Sequence, residues 1–166
     1  GPSMYDQLPV QILNPYEIGT DLVADATAAF VTYGGPCMVV DFGTALTFTT
    51  IDQTGSILGV AIAPGLITAL KSLTGNTAQL HDVQLEAPPS VLGENTVHAI
   101  QSGIVLGFAG LVDSMIDRTE KETGLNLKVI ATGGLSFVLK NVASRIDFID
   151  EDLTINGLKY MALHLH

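Results

Sequence analysis

The segment Asp41-Phe42-Gly43-Thr44-Ala45-Leu46-Thr47 brings a carboxylate, a glycine and two threonine hydroxyls together. Gly43 would let the backbone approach a ligand closely, and successive N–H groups in such a turn can bind an anion. Thr44 and Thr47 could donate hydrogen bonds to phosphate oxygens, while Asp41 could hold a cation that neutralises them. The segment is therefore consistent with a phosphate-binding turn. An ordinary β-hairpin whose turn is capped by Asp41 would use the same residues, and the pattern leaves both interpretations open.

Two further acidic residues, Asp21 and Asp25, lie near the start of a helix predicted from Thr20 to Tyr33. Carboxylates are favoured at the positive end of a helix, so the residues alone indicate a structural role for Asp21. Another glycine pair, Gly133-Gly134, follows an apolar run and precedes a predicted helix. It could be a ligand-binding loop or a plain strand-to-helix turn.

The order of the predicted elements indicates how these residues are positioned. Three strands form a meander, and alternating helices and strands follow, which predicts an α/β domain with a mixed sheet flanked by helices. The predicted strands are 10–13, 38–41, 45–52, 56–62, 127–131 and 148–149. The predicted helices are 20–33, 64–73 with Pro64 in its first turn, 95–123 ending at Gly124, one beginning near Leu135, and one from Leu153 to the C-terminus. Residues 75–92 are predicted to be irregular.

Composition limits the function. Of the 166 residues 47% are hydrophobic, and the net charge is −10 with seven Lys and Arg, which argues against nucleic-acid binding. The single cysteine, Cys37, allows no internal disulfide and is consistent with the cytoplasm. The apolar stretch 103–112 is about half of a membrane span, so no membrane association is expected. Residues 1–3, Gly-Pro-Ser, are interpreted as the remnant of an expression tag, and 4–166 as the domain.

Taken in order, the motifs resemble the type III pantothenate kinase family. A strand–Asp-x-Gly-Thr–strand hairpin is typical of the superfamily that includes actin, sugar kinases and acetate kinase. The resemblance covers the chain from about Gln11 to its end. The matching segments are Pro15-Tyr16-Glu17-Ile18-Gly19-Thr20-Asp21, Asp41-Phe42-Gly43-Thr44-Ala45, Ala63-Pro64-Gly65-Leu66, Asn95-Thr96 with Ala99-Ile100-Gln101-Ser102-Gly103, Ala131-Thr132-Gly133-Gly134-Leu135 and Asp152-Leu153-Thr154-Ile155-Asn156-Gly157-Leu158.

The resemblance implies a ribonuclease-H-like (actin-like ATPase) fold and ATP-dependent phosphorylation of pantothenate, the first step of coenzyme A synthesis. It implies that Asp21 is the catalytic base, which takes the proton of the pantothenate hydroxyl. Gly19 and Thr20 would lie in the substrate-contacting loop. Thr96 would contact pantothenate across the interface of a homodimer.

On the nucleotide side, the resemblance implies that Gly43 and Thr44 contact ATP and that Gly133 and Gly134 belong to the same site. Asp41 would be the ligand of a potassium or ammonium ion. Magnesium is expected to accompany ATP.

The chain departs from the family pattern in two places. Leu22 stands where the family has a substrate-contacting Arg, and a lost charged hydrogen bond costs about 1.5–3 kcal/mol. No Asp-x-Gly-Asn-Thr turn precedes Asn14, so the N-terminal domain with the second phosphate turn is expected to be absent. The fragment is expected to fold and dimerise but to be inactive alone. Two alternatives remain open: a regulatory or binding member without kinase activity, and another small-alcohol kinase of the superfamily.

Overall fold

The computed structural model describes residues 2–75 and 83–165. In chain order the elements are a 3₁₀-helix Pro2–Gln7, α1 Thr20–Tyr33, β1 Cys37–Phe42, β2 Ala45–Ile51, β3 Ile57–Pro64, α2 Leu66–Thr74, α3 Thr96–Gln101, a π-helical segment Ser102–Leu106, α4 Gly107–Thr123, β4 Lys128–Thr132, α5 Ser136–Leu139, β5 Phe148–Ile149 and α6 Leu153–His164. Residues 83–92 contain no helix or strand, as predicted, and the rest of the predicted irregular segment, 76–82, lies outside the described residues.

The strands of the described residues form one sheet in the order β3-β2-β1-β4-β5. The antiparallel pairs are β1–β2 and β2–β3, whereas β4 is parallel to both β1 and β5. The predicted meander and mixed sheet are therefore confirmed. Parallel pairing places the C-terminal ends of β1 and β4 at the same edge, where Asp41 and Thr132 are paired residues.

Each face of the sheet is covered by a hydrophobic cluster, because successive strand residues point to opposite faces. On one face Met38, Val40 and Phe42 pack with the long helix. On the other, Cys37 and Val39 pack with residues of α1 and α6. Asp41 continues the second set along β1, so its side chain is directed to the face covered by α1.

Helices α1 and α6 pack closely because one of them carries a glycine at the contact. A Cβ added to Gly157 would overlap the backbone carbonyl of Ala24, and Gly157 is buried. The neighbouring α1 residues Ala26, Ala28 and Ala29 are also small and buried. Small side chains therefore let the two helices approach each other while they cover the sheet.

The long predicted helix exists, but a π-helical segment interrupts it at Ser102–Leu106. The buried hydrophobic residues of this region are Ile104 and Val105 in the π-helical segment and Ala109, Val112 and Ile116 in α4. By length and composition Thr96–Thr123 could cross a membrane. Its buried residues pack in the cluster around β1, β2 and β4, so it is a core helix of this domain.

Two element predictions were wrong. Residues 10–13 do not form a strand: only Gln11 makes an isolated bridge, to Ser56, and prolines at positions 9 and 15 limit further pairing. Pro64 does not start a helix but ends β3, where it pairs with Ala45. The helix begins at Leu66, after the N-cap Gly65. Gly124 ends α4 in the left-handed conformation, as predicted.

Candidate functional site

The turn between β1 and β2 is held against the start of α2. The backbone N–H of Gly65 donates to the carbonyl oxygen of Thr44 at 3.2 Å, and the hydroxyl of Thr68 donates to the same oxygen at 3.2 Å. A Cβ at Gly65 would lie 2.6 Å from the carbonyl oxygen of Gly43. Gly43 and Thr44 themselves are exposed. The turn is thus fixed from behind and open at its tip.

Gly133 packs on the other side of this turn. Its φ of +90° is one that other residues rarely adopt, and a Cβ there would lie 2.6 Å from both Asp41 Oδ1 and the carbonyl oxygen of Phe42. Gly134 is exposed, and a Cβ there would meet no atom within 4 Å. Close packing therefore requires glycine at position 133 and not at 134.

Three polar residues form a row across the sheet beneath the turn. Asp41 of β1 pairs with Thr47 of β2 on one side and with Thr132 of β4 on the other. The hydroxyls of Thr47 and Thr132 are buried and have no hydrogen-bond partner among the described residues. The hydrogen bond from Thr47 to a ligand phosphate stays a prediction, and its hydroxyl lies on the same face of the sheet as Asp41.

Asp25 lies above this row, and sequence reasoning did not assign it to the site. It is 0% exposed, and its Oδ1 accepts a 2.5 Å hydrogen bond from the hydroxyl of Thr154 in α6. Burial raises its pKa to about 7, with smaller contributions from Asp41 and Asp21. Its position on the buried face of α1, one helical turn after Asp21, is the signal that could have identified it.

Asp21 is exposed in the first turn of α1 and lies within electrostatic reach of the buried Asp25 and the half-buried Asp41. Its side chain folds back over the N-cap, since a Cβ at Gly19 would be 2.5 Å from Asp21 Oδ1. Burial raises the pKa of Asp41, and the charge of Asp21 raises it further. Residues 1–70 contain no Lys or Arg. The site therefore concentrates negative charge that a bound cation would offset.

The structure brings Asp21, Asp41, Gly43, Thr44 and Gly133 together, with Gly19 and Thr20 at the adjoining start of α1. Two predicted site residues lie elsewhere. Thr96 is exposed at the start of α3, beside a cavity of about 480 Å³ that also contains Leu73 and Glu94.

Leu22 lines a separate groove of about 290 Å³. Its neighbours in the groove are mostly apolar residues of the segment before α1 and of β3, among them Ile12, Ile18 and Val60, together with the polar Asn14 and Glu17. Leu22 is therefore directed away from the polar row that contains Asp41.

The donor set around Asp41 fits a hard cation. Its carboxylate and the unpartnered hydroxyls of Thr47 and Thr132 supply oxygen ligands only, as such ions prefer. No group of three His, Cys, Asp or Glu in the described parts of the chain is arranged to hold a metal. A monovalent ion at Asp41 is thus compatible with the residues, whereas magnesium would need phosphate and water oxygens as further ligands.

The buried Asp25 predicts an unusual pH dependence of stability. The folded state keeps this proton up to about pH 7, whereas the unfolded chain releases it near the ordinary value of 3.8. The free energy of unfolding therefore falls as the pH rises between these values. Asp25→Asn should be more stable than the wild type at pH 8, on the order of a few kcal/mol, with a smaller difference at pH 4. Urea denaturation at both pH values measures this.

Asp52 provides a control whose contribution to stability should change with pH in the opposite direction. Its pKa is lowered, first by the hydrogen bond from the Thr54 side chain. Asp52→Asn should lose stability at neutral pH and approach the wild type as the pH falls below 4. An Asp25→Asn variant with the wild-type pH profile would contradict the assignment of the buried proton.

Comparison with solved structures defines the class of fold. A conserved protein from Campylobacter jejuni assigned to the Baf family of transcriptional activators superimposes with a TM-score of 0.62 at 24% identity, over 95% of this chain and 68% of that one. The ADPNP-bound activator of 2-hydroxyisocaproyl-CoA dehydratase from Clostridium difficile gives 0.50 at 12% identity, over 87% and 65%. The chain has the fold of the actin-like ATPases.

Sequence comparison gives the family. Residues 1–118 match the type III pantothenate kinase family. The type III pantothenate kinase of Treponema pallidum (strain Nichols) is 51% identical over 166 residues, which cover 98% of this chain and 60% of that protein. The chain belongs to the type III pantothenate kinase family, and it spans about 60% of the length of this relative.

Proposed function

We propose that the protein to which these residues belong transfers the γ-phosphoryl group of ATP to pantothenate in the cytoplasm. The observation that carries the proposal is the convergence of Asp21 and Asp41 beside the turn at Gly43 and Thr44. A carboxylate next to an exposed backbone turn suits phosphoryl transfer, in which positioning and charge stabilisation do most of the catalysis. The ADPNP bound to the Clostridium difficile neighbour of the same fold supports nucleotide binding.

In this proposal the β1–β2 turn and the loop Gly133-Gly134 hold the phosphates, with magnesium bound to ATP. Asp21 accepts the proton of the pantothenate hydroxyl as its oxygen bonds to the γ-phosphorus, and the bond from that phosphorus to the departing ADP oxygen breaks. A potassium or ammonium ion at Asp41 would supply positive charge beside the phosphates. Gly19 and Thr20 would position the substrate.

The proposal includes a homodimer in which Thr96 of one subunit reaches the pantothenate of the other. Thr96 does not lie with the residues around Asp41 within this chain, which is consistent with a role toward a partner. Val91, Leu92 and Val97 nearby are large apolar residues that are 68%, 78% and 43% exposed. Such a patch is typical of a surface that is covered in an assembly.

A second candidate is a family member that binds ligands without kinase activity. Leu22 favours it, because an apolar side chain in the groove beside β3 replaces the expected arginine. A third is phosphorylation of another small alcohol. The neighbour assigned to a family of transcriptional activators shares the fold only, at 24% identity.

The test is an assay of the full-length gene product with ATP, magnesium, potassium and pantothenate. We expect 4′-phosphopantothenate from that protein and none from the 166-residue chain, whose residues contain one phosphate turn. Without a second turn the γ-phosphate has no fixed line of attack, and positioning of this kind contributes about 7–11 kcal/mol in well-oriented systems. No product from pantothenate, with product from another alcohol in a substrate screen, would favour the third candidate. No turnover of any alcohol would favour the second.

A further inference from the structure

The hydrogen bond between Thr154 and Asp25 connects the C-terminal helix to the site. Thr154 lies in the first turn of α6, and its hydroxyl donates to Asp25 Oδ1 at 2.5 Å. Asp25 is completely buried on the face of α1 that packs on the sheet, between Val23, Ala24 and Ala26. One oxygen of the Asp25 carboxyl group is therefore fixed by an element far away in sequence.

The other oxygen, Asp25 Oδ2, is buried and accepts no hydrogen bond from an N–H or hydroxyl group of the described residues. The Asp41 carboxyl group is close enough for the two groups to shift each other's pKa, through their charges and through a side-chain hydrogen bond between them. Asp41 Oδ1 packs on Gly133, and its carboxyl group also lies near Gly43. Asp41 thus lies between two glycine turns and the Asp25 side chain.

A buried carboxyl group without full hydrogen bonding is costly, whereas an apolar side chain of similar size would pack at this position without that cost. The rest of the buried face of α1 is mainly alanine and valine, which shows what packing alone would select. Thr27 on the same face satisfies its hydroxyl within the helix, through the carbonyl oxygen of Val23 at 2.7 Å. Asp25 instead directs its second oxygen into the polar site.

We propose that Asp25 is a positioning residue for Asp41. Thr154 fixes Asp25, and Asp25 in turn holds the Asp41 carboxylate against Gly133, oriented toward the β1–β2 turn. The role of Asp41 in cation binding rests on the proposed function, whereas the position of its side chain does not. The C-terminal helix thereby becomes part of the support of the site, although it contributes no group to the ligand.

The first test measures the melting temperature of this chain as potassium replaces sodium at constant ionic strength. The measured quantity is the potassium concentration that gives half of the maximal rise in melting temperature. Asp25→Val should raise that concentration at least tenfold, while its melting temperature without potassium stays equal or increases. Asp25→Asn should remain within threefold of the wild type, because its amide keeps an acceptor for Thr154 and places a polar group toward Asp41. Thr154→Val should raise the concentration by a smaller factor, and Thr154→Ser should restore it.

Thr27→Val is the matched control, because it removes the hydroxyl of a threonine that is as fully buried in α1 as Asp25 but leaves the site intact. It should leave the potassium response unchanged. A response of Asp25→Val equal to that of the wild type would overturn the proposal. So would an equal loss in Thr27→Val, which would show that any buried change acts in the same way.

A crystal structure of Asp25→Val gives a readout that does not depend on potassium. The proposal expects the Asp41 carboxylate to leave its contact with Gly133 in this variant and to keep it in Asp25→Asn. An unmoved Asp41 in the valine variant would refute the proposal. If the wild type shows no potassium response, the cation role in the proposed function fails. The position of Asp41 in the crystal structure of Asp25→Val then decides whether Asp25 positions Asp41.

Discussion

The Asp21→Asn variant of the full-length protein is expected to lose about 10²–10⁴-fold in kcat for pantothenate phosphorylation, the usual contribution of a general base. The amide has nearly the same size as the carboxylate but cannot accept the substrate proton. Asp21 is exposed in the first turn of α1, so the substitution leaves the buried core unchanged. The melting temperature should therefore change little, and KM should change less than kcat.

Glu17→Gln is the control for this variant. Glu17 is an exposed acid four residues earlier in the chain, and its carboxylate accepts a 2.7 Å hydrogen bond from the Asn14 side chain. Its replacement removes the same charge near the site without touching the proposed base, so activity should remain near the wild type. Near-normal turnover of Asp21→Asn would disprove the assignment of Asp21. Equal losses in both variants would indicate a general effect of charge.

The Gly157→Ala variant is expected to show the largest loss of stability among single-methyl additions in this chain. The new Cβ would overlap the carbonyl oxygen of Ala24, a backbone atom that cannot rotate away. Helix α6 would have to move from α1, and overpacking of this kind costs about 1–3 kcal/mol or more. The free energy of unfolding from urea denaturation of this chain measures the effect.

The same substitution at Gly110 should act in the opposite direction. Gly110 is exposed within α4, and a Cβ there would meet no atom within 4 Å. Replacing an unconstrained helical glycine with alanine stabilises a helix by about 1 kcal/mol. The same added methyl group is therefore expected to lower the free energy of unfolding at position 157 and to raise it at position 110. A stabilised Gly157→Ala would show that the helices separate at little cost and that the close contact is not required.

Much of the fold was predictable because local signals agree with the tertiary structure. The helix at Thr20–Tyr33 and the strand at Phe148–Ile149 have the predicted bounds, and Gly124 ends α4 as its conformational freedom suggested. The error at Pro64 has a physical cause: proline suits a helix start, but pairing with β2 continues through Ala63 to Pro64. Tertiary pairing decided that boundary, and it is not visible in a local pattern.

The site was predictable where the chemistry lies in a continuous segment. The turn at Asp41–Thr44 and the glycine at 133 could be found in this way. For Asp25 the sequence offers only its position on the buried face of α1, one turn after Asp21, because its hydrogen-bond partner Thr154 lies 129 residues later in the chain. The face of β2 that Thr47 occupies likewise follows only from the pairing of that strand with β1. The roles proposed for the site residues all stay predictions: Asp21 as base, Asp41 as cation ligand, Gly43, Thr44, Gly133 and Gly134 toward ATP, and Gly19, Thr20, Leu22 and Thr96 toward the substrate.

The π-helical segment at Ser102–Leu106 interrupts the regular turn of the long helix. One additional residue per turn rotates everything after it by about 100° relative to an uninterrupted α-helix. The side of α3 that carries Thr96 and the side of α4 that packs on the sheet are therefore set independently of each other. A partner molecule lying along Thr96–Thr123 would therefore contact two short helical faces that point in different directions. A continuous coiled-coil interface cannot form across them.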